Sequence, residues 1–557
     1  MGIFQIVLVL IIFVFLSIVV GKYLYKIMSM EKGKGDIIFD KVDNFIYKLA
    51  GIKGEDMGFK KYTLAILVSN VVMCIIVYGI LRLQGVSILN PNGIKAMSSD
   101  LSFNTAISFI TNTNLQDYAG ESSLSYLSQM ISITFLMFTS AATGFCAAVA
   151  FIRGICGDNG IGNFFVDFTR ITTRLLIPFA AVITLLLVWQ GVPQTFKPIQ
   201  TVVTIENKMQ DIALGPVASL EAIKHLGTNG GGFFGANSSH PFENPTPLTN
   251  VIEMLSMMMI PGALVCAFGL YLKNKKQAFA IYAAMAILFV VALTVCYKAE
   301  MAGNPALEGI GLSQLMGNME GKEVRFGIAQ SSLFTTVTTA FTTGSVNNMH
   351  DSLTPLGGMV PLWNMMLNVV FGGKGVGFMG MIMYAIITVF ICGLMVGRTP
   401  EFLGKKIEGK EMKLIAFGIL IHPILILVPT AIAVMTKAGL SGISNAGFHG
   451  LSQIVYQYAS SAANNGSGFE GLIDNTVFWN TSTGLVMLFG RYITMILLLA
   501  VAGSLANKKA VPESAGTFKT DNGMFVMMLI FIVIIIGALT FLPTLALGPI
   551  AEYLTLH

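Results

Sequence analysis

The sequence predicts an all-α polytopic membrane protein of ten transmembrane helices. Eight form four pseudo-repeats of span, short re-entrant helix, polar loop and span, and one extra helix stands at each end. Three observations carry this expectation. Only 11% of the 557 residues are charged, against about 25% in an ordinary soluble domain, too few to cover a water-soluble surface of this size. Ten apolar runs of about bilayer length recur along the chain. The basic residues collect in alternate connections between those runs. Soluble enzymes, disordered chains and nucleic-acid binders are excluded on the same grounds.

The elements follow in order. The first run, 3–20, is broken only by Gln5 and Ser17. Its lysines follow it and nothing basic precedes it, the reverse of a secretory signal, so it is expected as a retained anchor with its N-terminus outside. Further runs lie near 62–83, 129–151, 173–190, 250–272, 277–297, 358–397, 412–436, 483–504 and 524–546. The 358–397 stretch exceeds one straight span and is interrupted by Phe371-Gly-Gly-Lys-Gly-Val-Gly377, so it is either one broken helix or two short ones. The expected organisation is an anchor and basic loop at 1–61, repeats at 62–152, 173–272, 277–397 (with the broken second helix) and 412–504, and a C-terminal helix at 524–557.

Five connections, 21–61, 153–174, 273–276, 397–413 and 504–522, hold 23 of the 34 lysines and arginines. The excess of positive charge marks them as cytoplasmic. The 21–61 loop alone has nine basic residues and is suited to lipid headgroups or another subunit. The six cysteines are scattered without a paired motif and read as apolar packing residues rather than a metal or disulfide framework. The histidines, also far apart, read as satisfying local hydrogen bonds.

The long outer segments, 84–128, 191–249, 298–357 and 437–482, share one pattern. Each has a short helix-compatible run (101–110, 216–226, 329–340 and 451–462) followed by a small polar cluster. The clusters are Thr111, Asn112, Thr113 and Asn114, with Gln116 just beyond; Thr228, Asn229, Gly230, Gly231 and Gly232; Thr343, Gly344, Ser345 and Val346; and Asn464, Asn465, Gly466, Ser467 and Gly468. Thr111, Thr228, Thr343 and Asn464 are separated by 117, 115 and 121 residues, a period that outranks local motifs in fixing architecture.

Non-helical backbone at membrane depth survives only when buried in protein or lining a watery cavity. Four such loops around one axis would form a pore lined by carbonyls, with short helices aiming their partly negative C-terminal ends at it. Carbonyl oxygens replacing a cation's hydration shell are the construction of a potassium filter, so the short runs read as pore helices and the clusters as filter loops. The loops differ, so the tightest binding is expected where the second, third and fourth approach most closely. No charged side chain lies within the first or second cluster, which leaves selection to backbone dipoles. His240 and Glu243, shortly after the second cluster, are expected to line the outer vestibule.

At these residues the chain resembles a known family. Thr111-Asn-Thr-Asn-Leu-Gln116, Thr228-Asn-Gly-Gly-Gly-Phe-Phe234, Asn237-Ser-Ser-His-Pro-Phe-Glu-Asn-Pro-Thr246 and Arg398-Thr-Pro-Glu-Phe-Leu-Gly-Lys-Lys406 resemble the potassium-binding A subunits of the bacterial Kdp potassium-transporting ATPases, essentially end to end. The resemblance implies a channel-like protein of the potassium-transporter superfamily in the bacterial inner membrane. Its partners would be a P-type ATPase B subunit, a C subunit and a small single-span subunit, with a tunnel from beneath the filter towards the B subunit. Potassium is the only ion implied, and no organic cofactor. The chain has neither an Asp-Lys-Thr-Gly phosphorylation motif nor a phosphate-binding G-x-x-x-x-G-K-[ST] loop, so the ATPase chemistry falls to a partner.

The resemblance also implies that the glycine-rich interruption obstructs flow below the filter, which makes Gly372, Gly373, Lys374, Gly375 and Gly377 gate candidates. By position it adds Arg491, which the family places near the gate beside a carboxylate. Here Asn368 stands at the carboxylate's position while Lys374 adds a positive charge, so the gate is expected to be more positive. Gly375-Val-Gly-Phe-Met-Gly380 satisfies G-x-G-x-x-G, but inside an apolar span with no preceding strand it is no dinucleotide site. Two competing expectations are a Trk/Ktr-type transporter without a pump subunit, and an assembly scaffold with a degenerate pore.

Overall fold

The computed structural model describes all residues except 1, 32–35, 158–159, 396, 398, 510, 512–517 and 557. Lys32, Lys34 and Arg398, assigned above to cytoplasmic connections, lie outside the described residues. Among these residues ten helices are long and apolar enough to cross a bilayer. The fourth, Phe164–Trp189, starts well before its apolar run because its charges are neutralised inside the fold. Asn163 caps the helix by accepting from Phe165 N and Val166 N, and Arg174 pairs with Asp36, Asp40 and Asp43. Hydropathy reads such charges as a helix end, whereas paired charges leave the helix intact. Those aspartates lie on or at the start of a helix, Asp36–Ala50, inside what the sequence left as a basic loop.

The spans alternate in depth. Within consecutive pairs the first helix is the less buried: 22% against 89% for Phe59–Val86 and Ser128–Cys156, 39% against 78% for Phe164–Trp189 and Pro247–Tyr271, 50% against 78% for Lys275–Gly309 and Gly373–Met395, and 22% against 56% for Gly409–Met435 and Val477–Ala506. Outer helices therefore present apolar side chains to lipid while inner helices surround the centre. Gly2–Met28 and Gly523–Leu556 are 28% buried and stand outside. Small residues allow the inner helices to approach closely: a Cβ on Gly490 would lie 2.6 Å from Ala462 O in the fourth short helix.

Four short helices, Ser99–Ile110, Val217–Leu226, Gly327–Ala340 and Phe448–Ala463, have 12, 10, 14 and 16 residues. At about 1.5 Å per residue none can cross a core of about 30 Å. They are buried despite many Ser, Thr and Asn residues, several of whose polar groups find partners within the bundle. Asn104 Nδ2 donates to Thr483 Oγ1 at 2.8 Å, and Thr335 Oγ1 to Asn348 Oδ1 at 2.9 Å.

The 358–397 stretch resolves as two helices, Pro355–Leu367 and Val376–Met395, separated by a loop and a 3₁₀ turn at Gly373–Gly375. Asn368 ends the first at φ 50°, ψ 33°, a left-handed cap that asparagine tolerates better than most residues. The fold departs from purely α in two small antiparallel hairpins, pairing Gln200–Val203 with Met209–Ile212 and Glu401–Phe402 with Lys405–Lys406.

Candidate functional site

The four short helices end in one hydrogen-bond pattern. Asn112, Thr228, Thr342 and Asn464 each donate their N–H three residues back, to Phe109, His225, Thr339 and Ser461. The following residues, Thr113, Asn229, Thr343 and Asn465, each donate five residues back, to Ser108, Lys224, Thr338 and Ser460, at 2.8–2.9 Å. The five-residue bond is that of a Schellman-type helix end. Asn112, Thr228, Thr342 and Asn464 all have positive φ, between 50° and 60°. Positive φ returns two residues later at Asn114, Gly344 and Gly466, and one residue late, at Gly231, in the second loop.

This register corrects the sequence alignment by one position in two loops. Asn112, not Thr111, and Thr342, not Thr343, are the counterparts of Thr228 and Asn464. Thr342 was absent from the sequence-predicted set. Thr228 and Thr342 are β-branched residues held in the left-handed region, which is costly and persists where the surroundings over-determine the backbone.

The loops converge at the backbone. A Cβ on Gly230 would sit 2.6 Å from Thr113 O and 2.9 Å from Asn465 O. One on Gly344 would strike Asn465 O and lie 2.9 Å from Gly230 Cα, and one on Gly466 would strike Thr113 O. The first loop thus joins the close approach, which the sequence had assigned to the other three. Side chains brace the arrangement: Asn112 Nδ2 donates to Thr228 O at 2.9 Å, Asn464 Nδ2 to Thr113 Oγ1 at 3.0 Å and Asn465 Nδ2 to Thr338 O at 2.9 Å. Gln116 clasps Gly232 from both sides, accepting its N–H at 2.8 Å and donating to its carbonyl at 3.2 Å.

Above the convergence lies a cavity of about 310 Å³ lined by residues of all four loops, including Gln116, Gly231, Val346, Ser467 and Gly468. Its wall carries Asp117, Glu470 and Asp474. Burial pushes the Glu470 carboxyl up to about 8 and that of Asp474 up to about 6. Burial, then the Asp474 charge, raises Asp117. None of these carboxylates was singled out from sequence.

Glu243 does not line this vestibule. It is buried behind the second loop, where it pairs with Lys224 at 2.7 Å and accepts from Phe234 N at 2.7 Å. His240 stacks on Phe234, ring centroids 3.8 Å apart, and is likewise absent from the cavity wall. Lys224 also meets Glu221 at 2.5 Å. His225 sits 3.4 Å from Glu253 and 2.9 Å from Ser345 Oγ, joining the second loop's support to the third loop. Glu221, His225 and Glu253 thus form a buried cluster around a histidine that is hydrogen-bonded locally, as expected, with Nδ1 2.9 Å from Glu221 O. Three ionisable residues within one short membrane-dipping helix were its signal in the sequence.

The interrupted span passes directly beneath. A Cβ on Gly373 would contact Thr228 Oγ1 and lie 2.5 Å from Phe341 O, and Gly372 N donates to Ala340 O at 3.1 Å. Phe371 stacks on Phe341 with centroids 4.9 Å apart. Gly375 and Gly377 lie in the same turn: a Cβ on Gly375 would press on Ala148, and one on Gly377 on Gly372. Asn368 accepts from Thr342 Oγ1 at 3.1 Å, so it braces the third loop without supplying a charge. Arg491 is buried within Val477–Ala506, its Nη2 3.4 Å from Ser140 O. Lys374 Nζ donates to the carbonyls of Asn112, at 2.5 Å, and Asn464. The inner end of these loops therefore meets a lysine side chain delivered from another segment. Asn368, Asn464 and Arg491 also line a cavity of about 50 Å³, together with Tyr384, His422 and Phe541.

Among the described residues, ten candidate spans around four short buried helices with polar loops define a polytopic, channel-like membrane protein. The fold is similar to the crystal structure of the potassium transporter TrkH from Vibrio parahaemolyticus, with a TM-score of 0.53 over 87% of this chain and 98% of that one, at 14% identity. The chain belongs to the potassium-transporting ATPase A subunit family, whose pattern matches residues 7–554. It is 64% identical over the full length of both chains to the potassium-transporting ATPase potassium-binding subunit of Clostridium acetobutylicum. It is 59% identical to the same-named subunit of Geobacillus kaustophilus, covering 99% of each.

Proposed function

We propose that this chain is the potassium-selective, channel-like subunit of an ATP-driven uptake complex. It binds extracellular potassium through filter-loop carbonyls and passes the ion to a P-type ATPase partner. The observation that carries this is the recurrence of one helix-end hydrogen-bond pattern in four loops whose backbones meet at Gly230, Gly344, Gly466 and Thr113. Left-handed residues at n and n+2, or n+3 in the second loop, turn carbonyls towards one axis, where they can replace a bare cation's water. The Thr111–Gln116 loop and its three counterparts, through Ser345, Val346, Ser467 and Gly468, form the filter, arranged about a pseudo-fourfold axis.

The ion enters the acidic vestibule, sheds water at the carbonyl ring and is stabilised by the C-terminal ends of four short helices. The glycine-rich interruption at 372–377 blocks a straight path to the cytoplasm, and the cavity past Asn368 and Arg491 offers a lateral exit. The partners are the ATPase B subunit, a C subunit and a small single-span subunit, in the bacterial inner membrane with the N-terminus outside. The relatives' name as potassium-binding subunits supports this division of labour, in which catalysis belongs to a partner. The likeness to TrkH favours, as second reading, a transporter working without a pump.

Uptake at micromolar external potassium in a transport-deficient host, with and without the neighbouring subunits, separates the two. Dependence on the ATPase subunit is expected, and full uptake by this chain alone would favour the second. Gly232→Asp tests the filter. A Cβ there lies 2.7 Å from Glu243 Oε1, so a new carboxylate meets a buried one and shifts the loop. A weaker apparent affinity is expected, and an unchanged one would remove Gly232 from the filter.

A further inference from the structure

Three of the four carbonyls at the inner ring of the filter are already occupied by protein donors. Of the four equivalent residues, Asn112 and Asn464 offer their carbonyls to Lys374 Nζ, and Thr228 O accepts from Asn112 Nδ2. Lys374 is fully buried and, among the described residues, has no carboxylate within ion-pair range. The charged group packed beside this turn is another cation: a Cβ on Gly144 would touch both the Lys374 backbone and Arg491 Nη2. A buried ammonium without a counter-ion is costly unless oriented dipoles solvate it. Here the solvating groups are filter carbonyls at the C-terminal ends of the first and fourth short helices. An environment that suits one desolvated monovalent cation suits another.

The backbone supports the placement. Lys374 has φ 54°, ψ 27° within the turn, flanked by Gly373 and by Gly375 at φ 79°. This left-handed kink carries the chain directly under the loops and sends the side chain up to their inner edge. Straight helix through 373–376 would not present Lys374 there.

Taking the four loops as a potassium filter, we propose that Lys374 is a tethered cation. Its ammonium holds the inner end of the filter, competes with the transported ion for the Asn112 and Asn464 carbonyls, and suppresses passive leak. An ion arriving from above displaces the ammonium through repulsion and competition for the same oxygens. When the ion leaves through the lateral cavity, whose wall includes Asn464 and Arg491, the ammonium returns. Transport becomes an exchange of two cations at one ring, so the ring is never left empty and open to back-flow.

The test uses the whole complex, purified and reconstituted in vesicles, comparing wild type with Lys374→Met and Lys374→Arg. Methionine keeps most of the length and removes the charge, whereas arginine keeps the charge. Passive rubidium flux without ATP is expected to rise about tenfold or more in Lys374→Met, equivalent to about 1.4 kcal/mol. Equilibrium rubidium binding should tighten by a similar factor, while Lys374→Arg stays near wild type. Unchanged flux and binding in a Lys374→Met complex that still assembles would overturn the tether. So would an equal rise in Lys374→Arg, which would show that a retained positive charge does not hold the ring. Wild-type uptake serves as the separate readout: if the wild-type complex takes up no potassium, the filter reading itself falls.

Discussion

Gly344→Ala puts the convergence of the loops to its most direct test. Gly344 has φ +90°, and a Cβ there would strike Asn465 O and lie 2.9 Å from Gly230 Cα. The left-handed backbone costs an alanine roughly 1–2 kcal/mol. The collision is with main chain of two other loops, so no rotamer change relieves it, and overpacking adds about 1–3 kcal/mol. If about 2 kcal/mol of this falls on ion-site geometry, apparent potassium affinity weakens by about 30-fold. Gly447 is the matched control: its φ is +78°, but a Cβ there meets nothing within 4 Å. Gly447→Ala should bear backbone strain alone and leave affinity untouched. The assay is the potassium dependence of uptake by the complex at micromolar concentrations, with amounts of assembled complex equalised. A Gly344→Ala complex with affinity within about threefold of wild type would refute the idea that these backbones bound one ion path.

Two further outcomes follow from the surroundings. Raising pH from 5.5 to 8.5 should ionise Asp474 and then Glu470, whose carboxyls titrate near 6 and 8, and make the vestibule more attractive to cations; uptake at constant ionic strength should show a falling half-saturation concentration. Because burial raises these folded-state values, both groups favour the folded state when protonated, and that stability, full below about pH 4, is lost as pH rises from there through about 6 for Asp474 and about 8 for Glu470, which thermal unfolding across the range would show. Lys224→Met strands the Glu221 and Glu243 carboxylates, a loss of about 3–5 kcal/mol visible as a lower unfolding temperature, and adding Glu243→Gln should recover part of it.

Membrane architecture was legible because lipid imposes it. Apolar length, loop charge and a repeat near 117 residues are one-dimensional signals of a three-dimensional constraint. The register of the loops was less so. Threonine was a natural marker for alignment, but the hydrogen bonds place Asn112 opposite Thr228, and Thr342 rather than Thr343. A β-branched residue at positive φ violates local preference, so nothing in the sequence announces it. The support behind the second loop was hidden for another reason: Lys224 and Glu243 are 19 residues apart and meet only through the fold of the intervening loop. Lys374 was visible as a charge within the interruption, but its carbonyl partners come from segments 262 and 90 residues away.

The four helix ends share one hydrogen-bond pattern and yet carry four different sequences on one chain. In a ring of identical subunits any substitution enters four times at once and is tolerated or not as a whole. Here each corner can change alone. Asn112 donates sideways, Thr228 and Thr342 hold strained backbone, and Asn464 takes the lysine. The ring is therefore open to graded adjustment, a quarter at a time, and a lysine can lean on two corners without touching the other two.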